Sequence, residues 1–194
     1  VLSTLPSREL SSGWAELIKH GVIMDPTLLE FLGKESGRVT GLHFGVTEDV
    51  IRRSAALKGS VVSQDEKESG LRTILNYGHT IGHSIEVVTD YNQYLHGEAV
   101  SLGMIGAALI SQRITGLSME SVELQRSLLK TYNLPTCLPE MDPDELINAM
   151  RLDKKMRSKT LRWVLLEDIG KPVIREDVST DLVRDVLEEM MIDV

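Results

Sequence analysis

Arg72, Asn76, His79, His83 and Glu86 follow one another at steps of four, three, four and three within RTILNYGHTIGHSIE. At about 3.6 residues per turn, those steps put all five on one face of a helix spanning 72–86. One further step back reaches Glu68. Ile74, Leu75, Gly78, Ile81, Gly82 and Ile85 fill the other positions, apolar or without a side chain. A solvated stripe is usually made of Lys and Glu. Imidazole, amide and guanidinium groups are the types that hold metals and anions, and glycines beside them let another backbone or a ligand come close.

Two chemistries fit these residues. His79 and His83 form an i,i+4 pair that could chelate zinc from one helix, a spacing that is also common by chance. A third imidazole, His96, opens a long apolar stretch, where the positive end of a helix dipole favours the neutral, ligating form. Glu98, Glu86 and Glu68 are carboxylates near these histidines in sequence. Glu16 stands between Ala15 and Leu17, a poor place for a charge without a partner. Its bland reading is an ion pair with Lys19 or His20. Two histidines and one carboxylate would leave a metal position open for substrate, the catalytic arrangement. The second chemistry is anion binding: Lys58, Arg72 and the Lys154–Lys155 pair could bracket a carboxylate or phosphate beside the metal.

The elements that must position these groups read as helices. Leu10, Trp14, Leu17, Ile18 and Val22 repeat at helical spacing after an opening VLSTLP that reads as extended. Asp25-Pro26 starts a second helix, and Thr47-Glu48-Asp49 a third with Val50, Leu57 and Val61 inward. AVSLGMIGAALISQRI is apolar almost all round and rich in Gly and Ala, as suits a central buried helix. Further helices are expected near 119–132 and 143–151 and from Thr180 to Met191. The only β signal is one hairpin near 160–175. The expected fold is a single, mainly α, bundle-like domain over residues 1–194.

Composition narrows the partners. The 194 residues carry a net charge of −8 and only 4% aromatics, which argues against nucleic acid and anionic membranes as partners. The single Cys137 excludes an internal disulfide and fits a cytoplasmic protein. No Gly-rich dinucleotide fingerprint lies between a strand and a helix, so the chain has no Rossmann unit of its own.

ELSSGWAELIKHGVI, KGSVVSQDEKESGLRTILNYGHTIGHSIE, YLHGEAVSLGM and LDKK…LLEDIGK resemble, in order and spacing, the carboxy-terminal helical domain of the 3-dehydroquinate synthase family of sugar-phosphate cyclases. The resemblance runs to about residue 176. It implies the mainly α domain of the dehydroquinate synthase-like fold, and a lyase dependent on NAD and on Zn2+ or Co2+. Glu16, His79 and His96 would be the metal ligands. His83 would then face substrate, contacting its phosphate with Asn76 and either Lys154 or Lys155, while Lys58 and Arg72 would hold its carboxylate. Glu68 would sit near the metal, and Val1, Leu2, Ser3 and Thr4 would touch NAD. Arg157, Ser158 and Lys159 stand where relatives usually have a glycine-containing turn. The family's amino-terminal NAD-binding half is absent from the sequence, so this domain alone is expected to be inactive. Members of the family commonly form homodimers. Two other readings stand beside this one: a cyclase acting on another sugar phosphate, and a zinc-binding helical module without catalysis.

Overall fold

The computed structural model describes residues 2–65, 70–157 and 161–192, with side chains at all of these except 153–157. Nine α-helices and one hairpin are seen among them: α1 (Ser7–Met24), α2 (Pro26–Lys34), α3 (Ser36–Thr40), α4 (Phe44–Gln64), α5 (His79–Val88), α6 (His96–Ile114), α7 (Met119–Thr131), α8 (Pro143–Arg157), β1 (Trp163–Asp168), β2 (Lys171–Arg175) and α9 (Thr180–Met191). The chain is thus mainly helical, as its periodicity implies.

α6 is the central element. Val100, Leu102, Met104, Ile105, Leu109 and Ile110 are all buried, and α1, α5, α7, α9 and β1 pack around them. Each such side chain contributes about 1.5–3 kcal/mol by leaving water. α5 lies closest. A Cβ on Gly103 would stand 1.8 Å from the Gly78 carbonyl oxygen, so the two backbones touch and only glycine fits. The hairpin is antiparallel, pairing Trp163 with Arg175 and Leu165 with Val173. Its β1 face buries Trp163, Val164, Leu165 and Leu166. Ser111 of α6 accepts the Leu166 N–H at 2.9 Å, tying the hairpin to the core.

Several starts follow from capping. The Asp25 carboxylate accepts the Thr27 and Leu28 N–H groups, each at 3.0 Å, with Pro26 at the first helical position. Ser118 and Ser179 cap α7 and α9 in the same way.

Four expectations need correction. The opening segment is a 3-10 turn over Leu2–Thr4 and not extended chain. α3 was not expected, and α4 begins at Phe44, ahead of Thr47, whose side chain is buried. α8 extends to Arg157, beyond the expected 151. The polar stripe is not one helix: Leu71–Asn76 is a 3-10 helix, and α5 starts afresh at His79 after Gly78 in the left-handed region, φ +79°. The cause is tertiary. Buried Tyr77 donates to Gln125 Oε1 at 2.9 Å, and Gly78 is pressed against Met104 of α6. That packing outweighs helical continuation. No helix among the described residues is long and apolar enough to cross a membrane.

Candidate metal centre

Three helices bring Glu16, His79 and His96 together. Glu16 lies in the middle of α1, His79 is the first residue of α5, and His96 is the first of α6. Glu16 Oε1 is 3.6 Å from His79 Nε2 and 3.9 Å from His96 Nε2. One donor atom from each of the three lies within 4.8 Å of the others. Tetrahedral donors at about 2.1 Å from zinc stand roughly 3.4 Å apart, so modest closure would suffice.

Hydrogen bonds fix the rings. His79 Nδ1–H donates to the Tyr77 carbonyl at 3.1 Å, and His96 Nδ1–H donates to Glu86 Oε1 at 3.1 Å. Both rings therefore turn Nε2 toward Glu16, the orientation that partners behind a metal-bound histidine enforce. Burial, reinforced by Lys19, pushes His79 down to about 3. It is neutral near pH 7, and with Nδ1 donating to a carbonyl its Nε2 carries a lone pair. That lone pair faces a carboxylate oxygen. Burial pushes the Glu16 carboxyl up, but the Lys19 ammonium outweighs it, and the net shift is downward. Two acceptors facing each other at 3.6 Å repel unless a cation lies near both, and the Lys19 ammonium, 3.0 Å from the same Glu16 oxygen, offsets part of that repulsion. This donor set fits a divalent ion with positions left for substrate oxygens.

Lys19 was underrated by the sequence, where it served only as a bland partner for Glu16. It is 2% exposed and meets both Glu16 oxygens, at 2.8 and 3.0 Å. Burial draws its ammonium down from the usual lysine range, with Glu16 opposing. The signal was in the text: a charge inside an apolar helical face, three residues after another. His20, beside it, is buried; its Nδ1 lies 2.7 Å from Ser54 Oγ, and its Nε2 has no hydrogen-bond partner among the described residues. Burial pushes His20 down to about 4.

The other expected groups are placed less completely. His83 stands one turn along α5, its ring 5.3 Å from that of His79 and 6.1 Å from that of His96. With Thr80, Ser84, Glu86, Tyr91, Ala149 and Met150 it lines a cavity of about 220 Å3 between α5 and α8. Arg72 and Asn76 lie half-buried on the 3-10 helix before α5, and the Arg72 N–H donates to Asp65 at 3.0 Å. Lys58 is exposed on α4, its charge close enough to act on Lys19 and His20. Lys154 and Lys155 fall on α8, but their side chains lie outside the described residues, as do Glu68 and Val1. Leu2 and Ser3 border a groove with Leu42, Phe44, Thr47 and Ile51, and Thr4 is exposed beside them. Of the carboxylates near His96 in sequence, Glu86 stands behind its ring. Glu98 turns away to Arg8.

The likeness to known proteins agrees in extent with this architecture. A family model described as 3-dehydroquinate synthase C-terminal matches residues 13–156. A 3-dehydroquinate synthase of Thermodesulfovibrio yellowstonii is 43% identical over 189 residues, which cover 97% of this chain and 53% of that protein. One from Nostoc punctiforme is 42% identical, over 98% of this chain and 53% of its own length. Among solved structures, 2-epi-5-epi-valiolone synthase from Streptomyces hygroscopicus, with NAD+ and Zn2+ bound, superposes with a TM-score of 0.89. At 24% identity over 97% of this chain and 53% of its own, that is a likeness of fold. A 2-deoxy-scyllo-inosose synthase complexed with carbaglucose-6-phosphate, NAD+ and Co2+ is 28% identical with a TM-score of 0.77, covering 96% of this chain and 53% of its own. The chain spans about half the length of these relatives. With most of its helices inside the matched segment, the chain belongs to the 3-dehydroquinate synthase C-terminal family.

Proposed function

We propose that this chain is the metal- and substrate-binding half of a 3-dehydroquinate synthase, a lyase of the shikimate pathway. The full enzyme would convert 3-deoxy-arabino-heptulosonate 7-phosphate into 3-dehydroquinate and phosphate. The observation that carries this reading is the His79 Nε2 lone pair facing the Glu16 carboxylate at 3.6 Å, with His96 Nε2 close by. The identity of about 40% to named 3-dehydroquinate synthases favours this cyclase over others.

Glu16, His79 and His96 would hold Zn2+ or Co2+. Such an ion, when bound, supplies Lewis acidity that eases loss of a substrate hydroxyl proton as hydride departs for NAD. The chain's own groups bind and orient. Lys58 and Arg72 would take the substrate carboxylate, while Asn76, His83 and a lysine of the Lys154–Lys155 pair would take its phosphate. Lys19 holds Glu16 ionised, and Glu86 holds the His96 ring. Oxidation next to the substrate C–H acidifies it, so phosphate can leave and itself accept that proton. Returned hydride, ring opening and an intramolecular aldol then close the carbocycle, with positioning doing most of the work. NAD would enter through an amino-terminal nucleotide-binding domain, with residues 1–4 at the contact.

Co-expression with the amino-terminal half of a relative, followed by addition of the heptulose phosphate, NAD and zinc, should release inorganic phosphate. The isolated chain should release none. A complex that binds both cofactors yet releases no phosphate overturns the reading, and mass spectrometry of the product separates dehydroquinate from another carbocycle.

A further inference from the structure

Glu16 and His96 belong to different helices, and something must set the distance between them. α1 and the start of α6 face each other along a ladder of three rungs. Arg8, Ser12 and Glu16 recur every four residues and so share one face of α1. Opposite them, in reverse order, stand Glu98, Gly97 and His96.

The outer rung is a fork. Arg8 Nε donates to Glu98 Oε1 at 2.7 Å and its Nη2 to Glu98 Oε2 at 2.6 Å. The same Nη2 donates to the Gln93 carbonyl at 2.6 Å, so one guanidinium grips the chain on both sides of His96. Glu98 Oε2 also accepts the Leu95 N–H at 2.8 Å, closing the first turn of α6. In the middle rung the Gly97 N–H donates to Ser12 Oγ at 2.9 Å. A Cβ on Gly97 would lie 1.9 Å from the Ser12 carbonyl oxygen, so the helices meet backbone to backbone there. The inner rung is Glu16 with His96.

We propose that Arg8 and Glu98 are positioning residues, a bidentate clamp that, with Ser12 on Gly97, holds His96 in register with Glu16. This rests on the metal-centre reading above. The side chain of Arg8 is 56% exposed and that of Glu98 12%. A partly solvated pair adds little to stability, and two parallel hydrogen bonds fix orientation instead.

The test is cobalt titration of the purified chain, read by the d–d spectrum and by competition with a chelator. Arg8→Ala is expected to weaken cobalt binding about 10-fold, the low end of what losing a partner directly behind a metal ligand costs, because Arg8 acts through Glu98, and to alter the spectrum. Arg8→Lys, which can meet one Glu98 oxygen, should fall between Arg8→Ala and the parent. Arg53→Ala is the control, because Arg53 joins α4 to Asp25 and Thr27 away from the site. It should shift the urea midpoint without changing cobalt affinity. Cobalt binding by Arg8→Ala as tight as the parent's, with the same spectrum, overturns the clamp. If Arg8→Ala does not fold, the same readings on Arg8→Lys and Glu98→Gln decide. If the parent chain takes no cobalt, the metal-centre reading fails, and the clamp is judged by the Gly97 amide and His96 ring NMR signals: unmoved in Arg8→Ala, they overturn it too.

Discussion

The metal centre and the hairpin hold their charges differently. Where α1, α5 and α6 meet, Lys19 is 2% exposed against Glu16, and the nearby histidines are turned by specific acceptors. At the hairpin, Lys171 pairs with Asp168 and Arg162 with Glu176 at side-chain exposures between 46% and 66%. Water already satisfies the second set. In the first, the Lys19 ammonium depends on Glu16, because removing the carboxylate would leave it buried and uncompensated, while Glu16 itself is 28% exposed. Polar groups at the metal centre are therefore a cost borne for geometry, while those on the hairpin decorate a surface that aliphatic burial stabilises.

Substitutions can break this contrast in graded steps. Gly103→Val should be the most damaging, since its added atoms would strike the Gly78 carbonyl. Loss of the folded circular dichroism signal at 25 °C is the expected result, and a cooperative urea transition near the parent midpoint would contradict it. Lys19→Met should cost about 3 kcal/mol in urea unfolding, the lower end of the range for half of a buried pair, since the Glu16 left behind is 28% exposed. The double variant Lys19→Met/Glu16→Leu should recover most of that loss while binding no zinc. A fall in pH gives an effect of intermediate size. His20 has a folded pKa of about 4, below the unfolded value of about 6.5. Between those values the unfolded chain binds more protons, so this stability is present above about pH 6.5 and lost as pH falls toward 4. Lowering pH from 7 to 4.5 should cost the parent about 2 kcal/mol more than it costs His20→Gln, measured by urea midpoints. Lys171→Ala, at the hairpin, should leave the midpoint where it was.

How much of this was legible beforehand differed by region in the same way. α9 from Thr180 to Met191, the buried α6 and the hairpin were readable because a local pattern decides them: amphipathic period, apolar continuity, and a turn between β-branched runs. α3 was missed, as a five-residue helix carries too little pattern to register. The break at Gly78 was hidden because Arg72, Asn76, His79 and His83 keep helical spacing across it, and only packing against Met104 stops the helix. At the site, residue types drew attention to His79, His83 and His96, but periodicity favoured the His79–His83 pair. Glu16 was singled out by its apolar setting and joined to the others by family resemblance alone. The contact across sixty-odd residues that brings it to His79 has no local signature. Arg8 remained unread for the same reason, since its partners Glu98 and Gln93 are set by helix docking, whereas the Lys19 pairing with Glu16 is local to α1 and only its depth of burial was missed.

The touching main chains at Gly78 and Gly103 carry a last consequence. The start of α5, beside His79, is spaced from the middle of α6, two turns past His96, by main-chain groups in van der Waals contact, with no compressible side chain between them. Exchanges among Leu109, Ile110 and their neighbours in the far half of α6 can then soften or stiffen the interior while the imidazoles at the other end keep their separation. Sequence drift in the core and conservation of donor spacing become independent, as in a vice whose jaws stay set while its handle is replaced.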